Sequence, residues 1–154
     1  MTKDRKEDEM TGCVFCDIVA GERPASIVYQ DENCTAFMDI QPVNPGHTLV
    51  VPNEHAASLA ELDPEVGGQM FQLAQRIAQA LRDSEIRCEG VNLMLADGAA
   101  AGQEVPHVHL HVLPRYRGDS FGFHRGPGYG HRPSRSDLDE RAAQIRESLG
   151  EREG

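Results

Sequence analysis

The segment from residue 107 to residue 113 limits the possible folds of this chain most, because it alternates histidine with aliphatic residues. It reads His-Val-His-Leu-His-Val-Leu. Neighbouring side chains of a β-strand point to opposite faces, so a strand here places His107, His109 and His111 on one face and buries the aliphatic residues. The pattern predicts a half-buried strand whose imidazoles stand about 6–7 Å apart along the chain.

Three interpretations of this histidine face stay open from the residues alone. A merely polar strand face is the least favoured, because three of the seven histidines of the chain crowd into this one segment. A metal site built from all three imidazoles competes with it, since imidazole is a common ligand of zinc and other transition metals. The third interpretation is a site where the imidazoles share one anionic group of a substrate.

A long amphipathic helix is predicted from about Pro64 to Ser84. Its apolar residues are spaced by three or four, which places them on one helical face; they are Val66, Met70, Leu73, Ile77 and Leu81. Asp63 is suited to cap the first turn, and proline is favoured at the first helical position. This helix is expected to cover the aliphatic face of the histidine strand.

The other elements are predicted to be short strands and two further helices. The strands are expected over residues 27–29, 35–38, 48–51, 91–95 and 105–113. A helical turn is expected over residues 13–19 and a last helix over 137–149. The order of these elements fits an α+β fold with a mainly antiparallel sheet.

Composition and charge exclude some classes of partner. The formal net charge of −10 argues against binding of nucleic acid or of an anionic membrane. Residues 1–10 are expected to be a disordered tail, because no apolar run follows them as in a signal peptide. Four cysteines without an export signal fit a cytoplasmic protein. Residues 115–135 reverse the sign locally, with five arginines and one aspartate.

The segment from Asp39 to His55, the Gly102-Gln103 pair and residues 107–113 together resemble the histidine triad (HIT) superfamily. The resemblance extends over about residues 13–115 in the order of the family. It implies a five-stranded antiparallel sheet with one long helix, usually in a homodimer, that acts on a nucleotide at the α-phosphate. We expect a HIT domain over residues 11–116. An Arg/Gly-rich loop and a C-terminal helix over 117–154 are expected to pack on the same domain.

The resemblance also implies a role for each matching residue. His109 would be the nucleophile, the backbone carbonyl of His107 would hold its distal ring proton, and His111 and His47 would donate hydrogen bonds to the phosphoryl oxygens. Gln103 would position the leaving group or the water. The nucleoside would be bound by Asp39 at the ribose and by Phe15, Ile18, Phe37, Ile40 and Leu49 around the base. For each of these apolar residues, simple core packing is an equally good interpretation.

Two positions depart from the family pattern. Ala96 stands where relatives usually carry an amide side chain that contacts the phosphate, so Asn92, a backbone group or a water would have to replace it. A lost hydrogen bond of this kind costs about 1–3 kcal/mol, which slows catalysis without abolishing it. Glu104 stands where many relatives have Ser or Thr, and its carboxyl group could protonate a leaving atom or repel a polyphosphate.

Cys13 and Cys16 form a C-x-x-C pair, which alone fits two buried thiols as well as a redox or metal site. The resemblance to the zinc-binding branch of the family adds His55 and His107 as two further ligands. Four such ligands imply a closed structural Zn²⁺ site with no open position for water.

The sequence therefore predicts a hydrolase or transferase of dinucleoside polyphosphates or nucleoside phosphoramidates. Arg115 and the arginines after it favour the polyphosphates slightly, because a longer phosphate chain has more charge to neutralise. Two alternatives remain. One is a nucleotide-binding or interaction module with little turnover, and the other is a metal-dependent hydrolase that holds one ion with all three histidines.

Overall fold

The computed structural model describes residues 12–153, without the side chains of residues 151–153. The tail expected over residues 1–10 lies outside this range. The chain divides after Ser120 into two compact units, each of which is described by itself. Within the described residues, no helix is both long enough and apolar enough to cross a membrane.

The first unit is built on a five-stranded sheet in which all neighbouring strands are antiparallel. Its strands are β1 (Ile27–Gln30), β2 (Cys34–Met38), β3 (Thr48–Pro52), β4 (Gly90–Leu95) and β5 (Leu110–Arg115). Their order across the sheet is β1-β2-β3-β5-β4. The α+β fold with a five-stranded antiparallel sheet is confirmed.

The turn between β1 and β2 is closed by a short polar side chain. The Asp31 Oδ1 atom accepts hydrogen bonds from the backbone N–H groups of Asn33 and Cys34, both at 2.8 Å. Aspartate commonly closes a turn in this way because its carboxylate reaches the backbone two residues on. The strands expected over residues 27–29 and 35–38 are thereby joined as a hairpin.

Two helices belong to the first unit, α1 (Val14–Val19) and α2 (Pro64–Asp83). Asp63 caps α2 by accepting from the Glu65 N–H at 2.9 Å, as its position in the sequence predicts. The apolar face of α2 packs on one side of the sheet, through Met70, Leu73, Ile77 and Leu81. The long helix is confirmed to within one residue of its predicted end.

The pairing register places core residues on one face of the sheet and cavity-lining residues on the other. One row across the four strands β2, β3, β5 and β4 consists of Ala36, Val50, Leu110 and Leu95, which pack in the core beneath α2. The adjacent row, on the opposite face, consists of Phe37, Leu49, His111 and Met94. This second row lines the cavity described below.

The strand predicted over 105–113 begins only at Leu110, so His107 and His109 precede β5. The backbone before β5 is bound elsewhere: the Val108 N–H donates to the Ala56 carbonyl at 2.8 Å. Pro106 has no N–H to offer a neighbouring strand. The predicted alternation nevertheless holds, because Val108 lies in the core beneath α2 while the histidines lie on the other side.

The second unit, described by itself, contains α3 (Arg135–Glu153). This helix is longer at both ends than the predicted span of 137–149. The packing of residues 117–154 on the same domain stays a prediction.

Candidate active site and metal centre

A cavity of about 610 Å³ opens on the face of the sheet opposite α2. Six of the seven residues expected to bind the nucleoside line it: Phe15, Ile18, Phe37, Asp39, Ile40 and Leu49. His109, His111 and Glu104 line it as well. At this volume it falls within the range of small-molecule sites, and it is lined mainly by apolar groups with a few polar ones.

The apolar residues of the cavity serve as core and as lining at once. Phe15, Phe37 and Leu49 are buried together in a small cluster on this side of the sheet. The Phe15 ring meets Phe37 edge to face at 5.4 Å and His109 at 5.2 Å between ring centroids. Ile40 differs, because it is 94% exposed and lies at the rim.

The hydrogen bonding of His109 fixes which of its ring nitrogens is free. Its Nδ1 lies 2.8 Å from the backbone carbonyl oxygen of His107. A carbonyl can only accept, so Nδ1 carries the proton and, in the neutral ring, Nε2 keeps its lone pair. The ring is 6% exposed and lines the cavity, which makes Nε2 a candidate nucleophile.

His47 and His111 form a short hydrogen-bonded chain of two rings, and a backbone N–H determines where its protons lie. The Val43 N–H donates to His47 Nδ1 at 3.1 Å, so a neutral His47 carries its proton on Nε2. That nitrogen lies 2.8 Å from His111 Nδ1, which must accept. His111 is therefore protonated at Nε2, the nitrogen available to a bound ligand.

Burial keeps both rings of this chain neutral. Together with the neighbouring rings of His109 and His47, burial lowers the pKa of His111 to about 4. Burial also lowers the pKa of His47, against the opposing effect of the Asp39 carboxylate, which lies 3.5 Å from His47 Nε2. At neutral pH the chain can donate a hydrogen bond without carrying a charge.

Four of the residues expected to bind or act on the nucleotide lie outside the cavity lining: His47, His107, Gln103 and Asn92. His47 is linked to the cavity through its hydrogen bond to His111, and the direct phosphate contact expected for it stays a prediction. Gln103 donates both of its Nε2–H groups, to the Ala57 and Val105 carbonyls, and its Oε1 accepts from the Gly98 N–H. It therefore holds the loop, and since one lone pair of Oε1 remains, its expected contact with a leaving group or a water stays a prediction.

Asn92 and Arg115 are engaged with each other. The Arg115 Nη1 donates to Asn92 Oδ1 at 2.7 Å, and its Nε and Nη2 atoms donate to the two carboxylate oxygens of Asp119 at 2.6 and 2.7 Å. The guanidinium group holds the pKa of Asp119 well below its usual range. Asn92 lies outside the cavity lining, and its replacement of the amide missing at Ala96 stays a prediction.

Several lining residues were missed by the sequence analysis, among them Arg23 and Met94. Met94 faces the site because it pairs with His111 across β4 and β5, a register that no local pattern reveals. Arg23 lies in the turn after α1, where no periodicity indicates the direction of a side chain. The only sequence feature that marked Arg23 was a positive charge in a turn that contains glycine and proline.

A second cluster brings together four metal-binding side chains. The ligand atoms of Cys13, Cys16, His55 and His107 all lie within 4.8 Å of one another. The His107 Nδ1 atom is 3.4 Å from Cys13 Sγ, 3.5 Å from Cys16 Sγ and 3.2 Å from His55 Nδ1. A tetrahedral zinc ion with bonds of about 2.0–2.3 Å separates its ligands by roughly 3.3–3.8 Å, so the four atoms fit zinc.

The protonation states of this cluster favour a cation. Burial lowers the pKa of His107 to about 4, and its Nε2–H donates to the Pro52 carbonyl at 2.9 Å, which leaves a lone pair on Nδ1. Burial and the adjacent Cys13 raise the pKa of Cys16 to about 12, so a thiolate here needs a positive charge beside it. The donor set fits a closed Cys₂His₂ zinc site.

The metal site that would use all three histidines of residues 107–111 is not formed. His107 turns its Nδ1 to the cysteines, whereas His109 and His111 face the cavity. Among the described residues, the other group able to hold an ion is Asp39, His47 and His111. That interpretation of the histidine segment is wrong because the first imidazole belongs to a different cluster.

Comparisons with known proteins agree with this architecture. A model of the HIT domain family matches residues 20–118. Protein hit from Bacillus subtilis is 45% identical over 111 residues, which are 71% of this chain and 76% of that protein. The crystal structure of a Zn-bound histidine triad family protein from Mycobacterium smegmatis aligns with a TM-score of 0.70 and 46% identity, covering 76% of this chain and 84% of that one.

A plant relative adds a named activity. The adenylylsulfatase of Arabidopsis thaliana is 36% identical over 107 residues, which are 70% of this chain and 54% of that protein. With the family model matching well over half of the residues, the chain belongs to the HIT domain family, a superfamily of nucleotide-binding hydrolases and transferases.

Proposed function

We propose that this protein hydrolyses a nucleoside derivative at its α-phosphate through a covalent nucleotidyl-histidine on His109. One observation carries the proposal: the His107 carbonyl holds the proton on His109 Nδ1 at 2.8 Å, so that Nε2 is left with its lone pair. A buried neutral imidazole at a cavity that fits a nucleoside is a suitable nucleophile.

In the first step, the lone pair of His109 Nε2 forms a bond to phosphorus. The bond from phosphorus to the leaving group breaks, and its electron pair departs with the leaving nitrogen or oxygen. That atom takes up a proton at the mouth of the cavity, where Glu104 meets solvent. His111 Nε2–H donates to a phosphoryl oxygen, and its hydrogen bond strengthens as charge increases there.

In the second step, a water molecule forms a bond to phosphorus and the bond to His109 Nε2 breaks. The electron pair returns to the imidazole, the water releases one proton to solvent, and a nucleoside monophosphate leaves. His47 acts through His111, because it donates to His111 Nδ1 and thereby keeps the proton on Nε2. Asp39 is proposed to bind the ribose from the cavity wall.

The charges of the cavity support a leaving group with little negative charge. Asp39 and Glu104 line it, and Arg23 is the one arginine or lysine among its described lining residues. The Arg115 guanidinium is engaged with Asp119, which weakens the part of the argument for polyphosphates that rested on this arginine. We therefore favour nucleoside phosphoramidates over dinucleoside polyphosphates as substrates, with adenylyl sulfate as a third candidate because of the plant relative.

Bound zinc would supply a structural cross-link between the segment before α1 and the segment before β5. Its four protein ligands leave no position for water, so the histidines of the cavity carry the chemistry. A homodimer in the cytoplasm stays part of the proposal. Light scattering on the purified protein tests the dimer directly, since the mass of one chain is 16.9 kDa.

The test is a product assay with an adenosine phosphoramidate, diadenosine tetraphosphate and adenylyl sulfate. Each reaction is also quenched in base, in which a histidine–phosphorus bond is more stable than in acid, and analysed by intact-mass spectrometry. The proposal expects turnover, with one nucleotidyl group per chain that is missing in His109→Ala. Tight nucleotide binding by calorimetry without turnover or adduct would instead support the binding-module alternative, which the missing amide at Ala96 keeps open.

A further inference from the structure

One residue, His107, takes part in both clusters. Its side chain is completely buried, with Nδ1 3.4 Å from Cys13 Sγ and 3.2 Å from His55 Nδ1. Its backbone carbonyl accepts the hydrogen bond from His109 Nδ1 at 2.8 Å. The group that orders the proton of the candidate nucleophile thus belongs to a candidate metal ligand.

A second connection runs through α1. The helix begins next to Cys13 and contains Cys16, and between them Phe15 meets the rings of His107 and His109 at 5.9 and 5.2 Å. A helix of six residues is too short to be stable alone. Its N-cap is the Cys13 sulfur itself, which accepts from the Cys16 N–H at 3.3 Å.

We propose that a metal ion in the Cys13, Cys16, His55 and His107 cluster fixes the tautomer and position of His109, with His107 and Phe15 as positioning residues. The expected effect on kcat rests on the proposed function, whereas the expected effect on the His109 tautomer does not. The metal site thereby acts on the reaction without contacting the substrate.

The physical reason lies in the contact between His107 and His55. Their Nδ1 atoms are 3.2 Å apart, and a cation that both lone pairs can bind stabilises this arrangement. Without it the lone pair of His107 can only accept a hydrogen bond from a thiol or from His55 Nδ1–H, which holds the two rings less firmly than two bonds to one ion. Because Pro52 restrains His107 at Nε2, any turn of the ring moves the peptide whose carbonyl orders His109.

The fold around the site does not depend on the metal alone. The Val108 N–H donates to the Ala56 carbonyl, and the Gln103 amide donates to the Val105 carbonyl. The aliphatic residues before and in β5 also pack beneath α2. The metal-free protein is therefore expected to stay folded while His109 loses its single tautomer.

The experiment uses the full chain with ¹⁵N-labelled histidine. Long-range ¹H–¹⁵N spectra report which nitrogen of each ring is protonated, first with zinc, then after chelation and dialysis, then after zinc is restored. We expect His109 to be protonated at Nδ1 with zinc, to mix tautomers without it, and to recover on restoration. The kcat for an adenosine phosphoramidate should fall about tenfold to a hundredfold in the metal-free protein.

Variants at one metal ligand, His55, distinguish the effect of the ion from the effect of the side chain. His55→Cys keeps four zinc ligands, so adding zinc to its metal-free form should restore a single His109 tautomer and raise kcat, whereas adding limiting zinc to His55→Ala should do neither. Cys88→Ser is the matched cysteine control, because this thiol lies outside the cluster and donates to the Gly90 carbonyl. Phe15→Leu, which keeps all four ligands, should lower kcat and let His109 mix tautomers even with zinc bound.

A single His109 tautomer in the folded, metal-free protein would overturn the proposal. Unfolding on zinc removal, seen by circular dichroism, would overturn it too, because the ion would then act on the fold as a whole. A Phe15→Leu variant with unchanged kcat and a single His109 tautomer would remove Phe15 from it. If no substrate is turned over but the tautomer still follows zinc, the proposed function fails and this inference stands.

Discussion

Two histidine clusters lie side by side in this protein, and they differ in whether their available ring nitrogens face other protein ligands or an open cavity. The closed cluster is formed by Cys13, Cys16, His55 and His107. The open cluster is formed by Asp39, His47, His109 and His111. In both, a hydrogen bond to one ring nitrogen decides which nitrogen remains available.

His107 and His109 make the contrast concrete. His107 donates from Nε2 to Pro52 and presents Nδ1 to two thiols, whereas His109 donates from Nδ1 to His107 and presents Nε2 to a cavity. The same side chain thus becomes a metal ligand or a nucleophile according to its backbone acceptor. The difference teaches that the tautomer, set by the acceptor, carries as much of the function as the residue type.

The largest expected effect is the loss of the nucleophile from the open cluster. In His109→Ala, kcat for an adenosine phosphoramidate should fall at least about a thousandfold, because no other group can form the bond to phosphorus. Single-turnover kinetics measures this. Zinc content depends on the closed cluster and should be unchanged. A rate within tenfold of the wild type would contradict the assignment of the nucleophile to the open cluster.

Removing the thiols should act on stability. In Cys13→Ser combined with Cys16→Ser, zinc no longer stabilises the folded state, which costs about 4 kcal/mol when free zinc is a thousand times its Kd. Urea unfolding with and without zinc measures the difference. Cys88→Ser is the control, and equal stabilisation of all three proteins by zinc would show that the closed cluster does not bind it.

The relay from His47 to His111 should have a smaller effect on catalysis. In His47→Leu the proton on His111 is no longer ordered, and the lost hydrogen bond of about 1–3 kcal/mol corresponds to a roughly tenfold to hundredfold lower kcat. His47→Gln, which keeps an N–H donor, should recover part of that loss. Equal rates for the two variants would argue against a relay.

Acid should destabilise the open cluster through His111. Its pKa in the folded protein is lowered from 6.5 to about 4, so below pH 6.5 the unfolded chain takes up a proton that the folded chain refuses. The free energy of unfolding therefore decreases between pH 6.5 and pH 4. In His111→Gln it should decrease less over the same range. Urea unfolding across this range measures it, with His124→Gln, at an exposed histidine, as the control.

The smallest expected effect concerns the choice of substrate. Glu104→Gln removes a negative charge from the cavity and should raise kcat/KM for diadenosine tetraphosphate relative to a phosphoramidate by about threefold, as expected for an exposed, screened charge. A competition assay with both substrates measures the ratio. Glu61→Gln, outside the cavity lining, should leave it unchanged.

Much of the fold could be predicted because it depends on neighbouring residues. The capped helix α2, the turn at Asp31 and the aliphatic side of the histidine segment each follow from a local pattern. The start of β5 could not, because the preceding backbone is bound by Ala56, far away in the chain. Met94 was missed for the same reason, since its place depends on the pairing register of β4 and β5.

The sequence by itself determined which chemistry is present: imidazoles on one face, two thiols near the N-terminus, and an apolar helix to cover the sheet. The tertiary structure alone decided how each polar group is used. It engaged Arg115 with Asp119, engaged the Gln103 amide with the backbone, and placed His47 one hydrogen bond away from the cavity lining. The reason is physical: periodicity is encoded over a few residues, whereas a buried donor takes its partner from whichever segments the fold brings within about 3 Å.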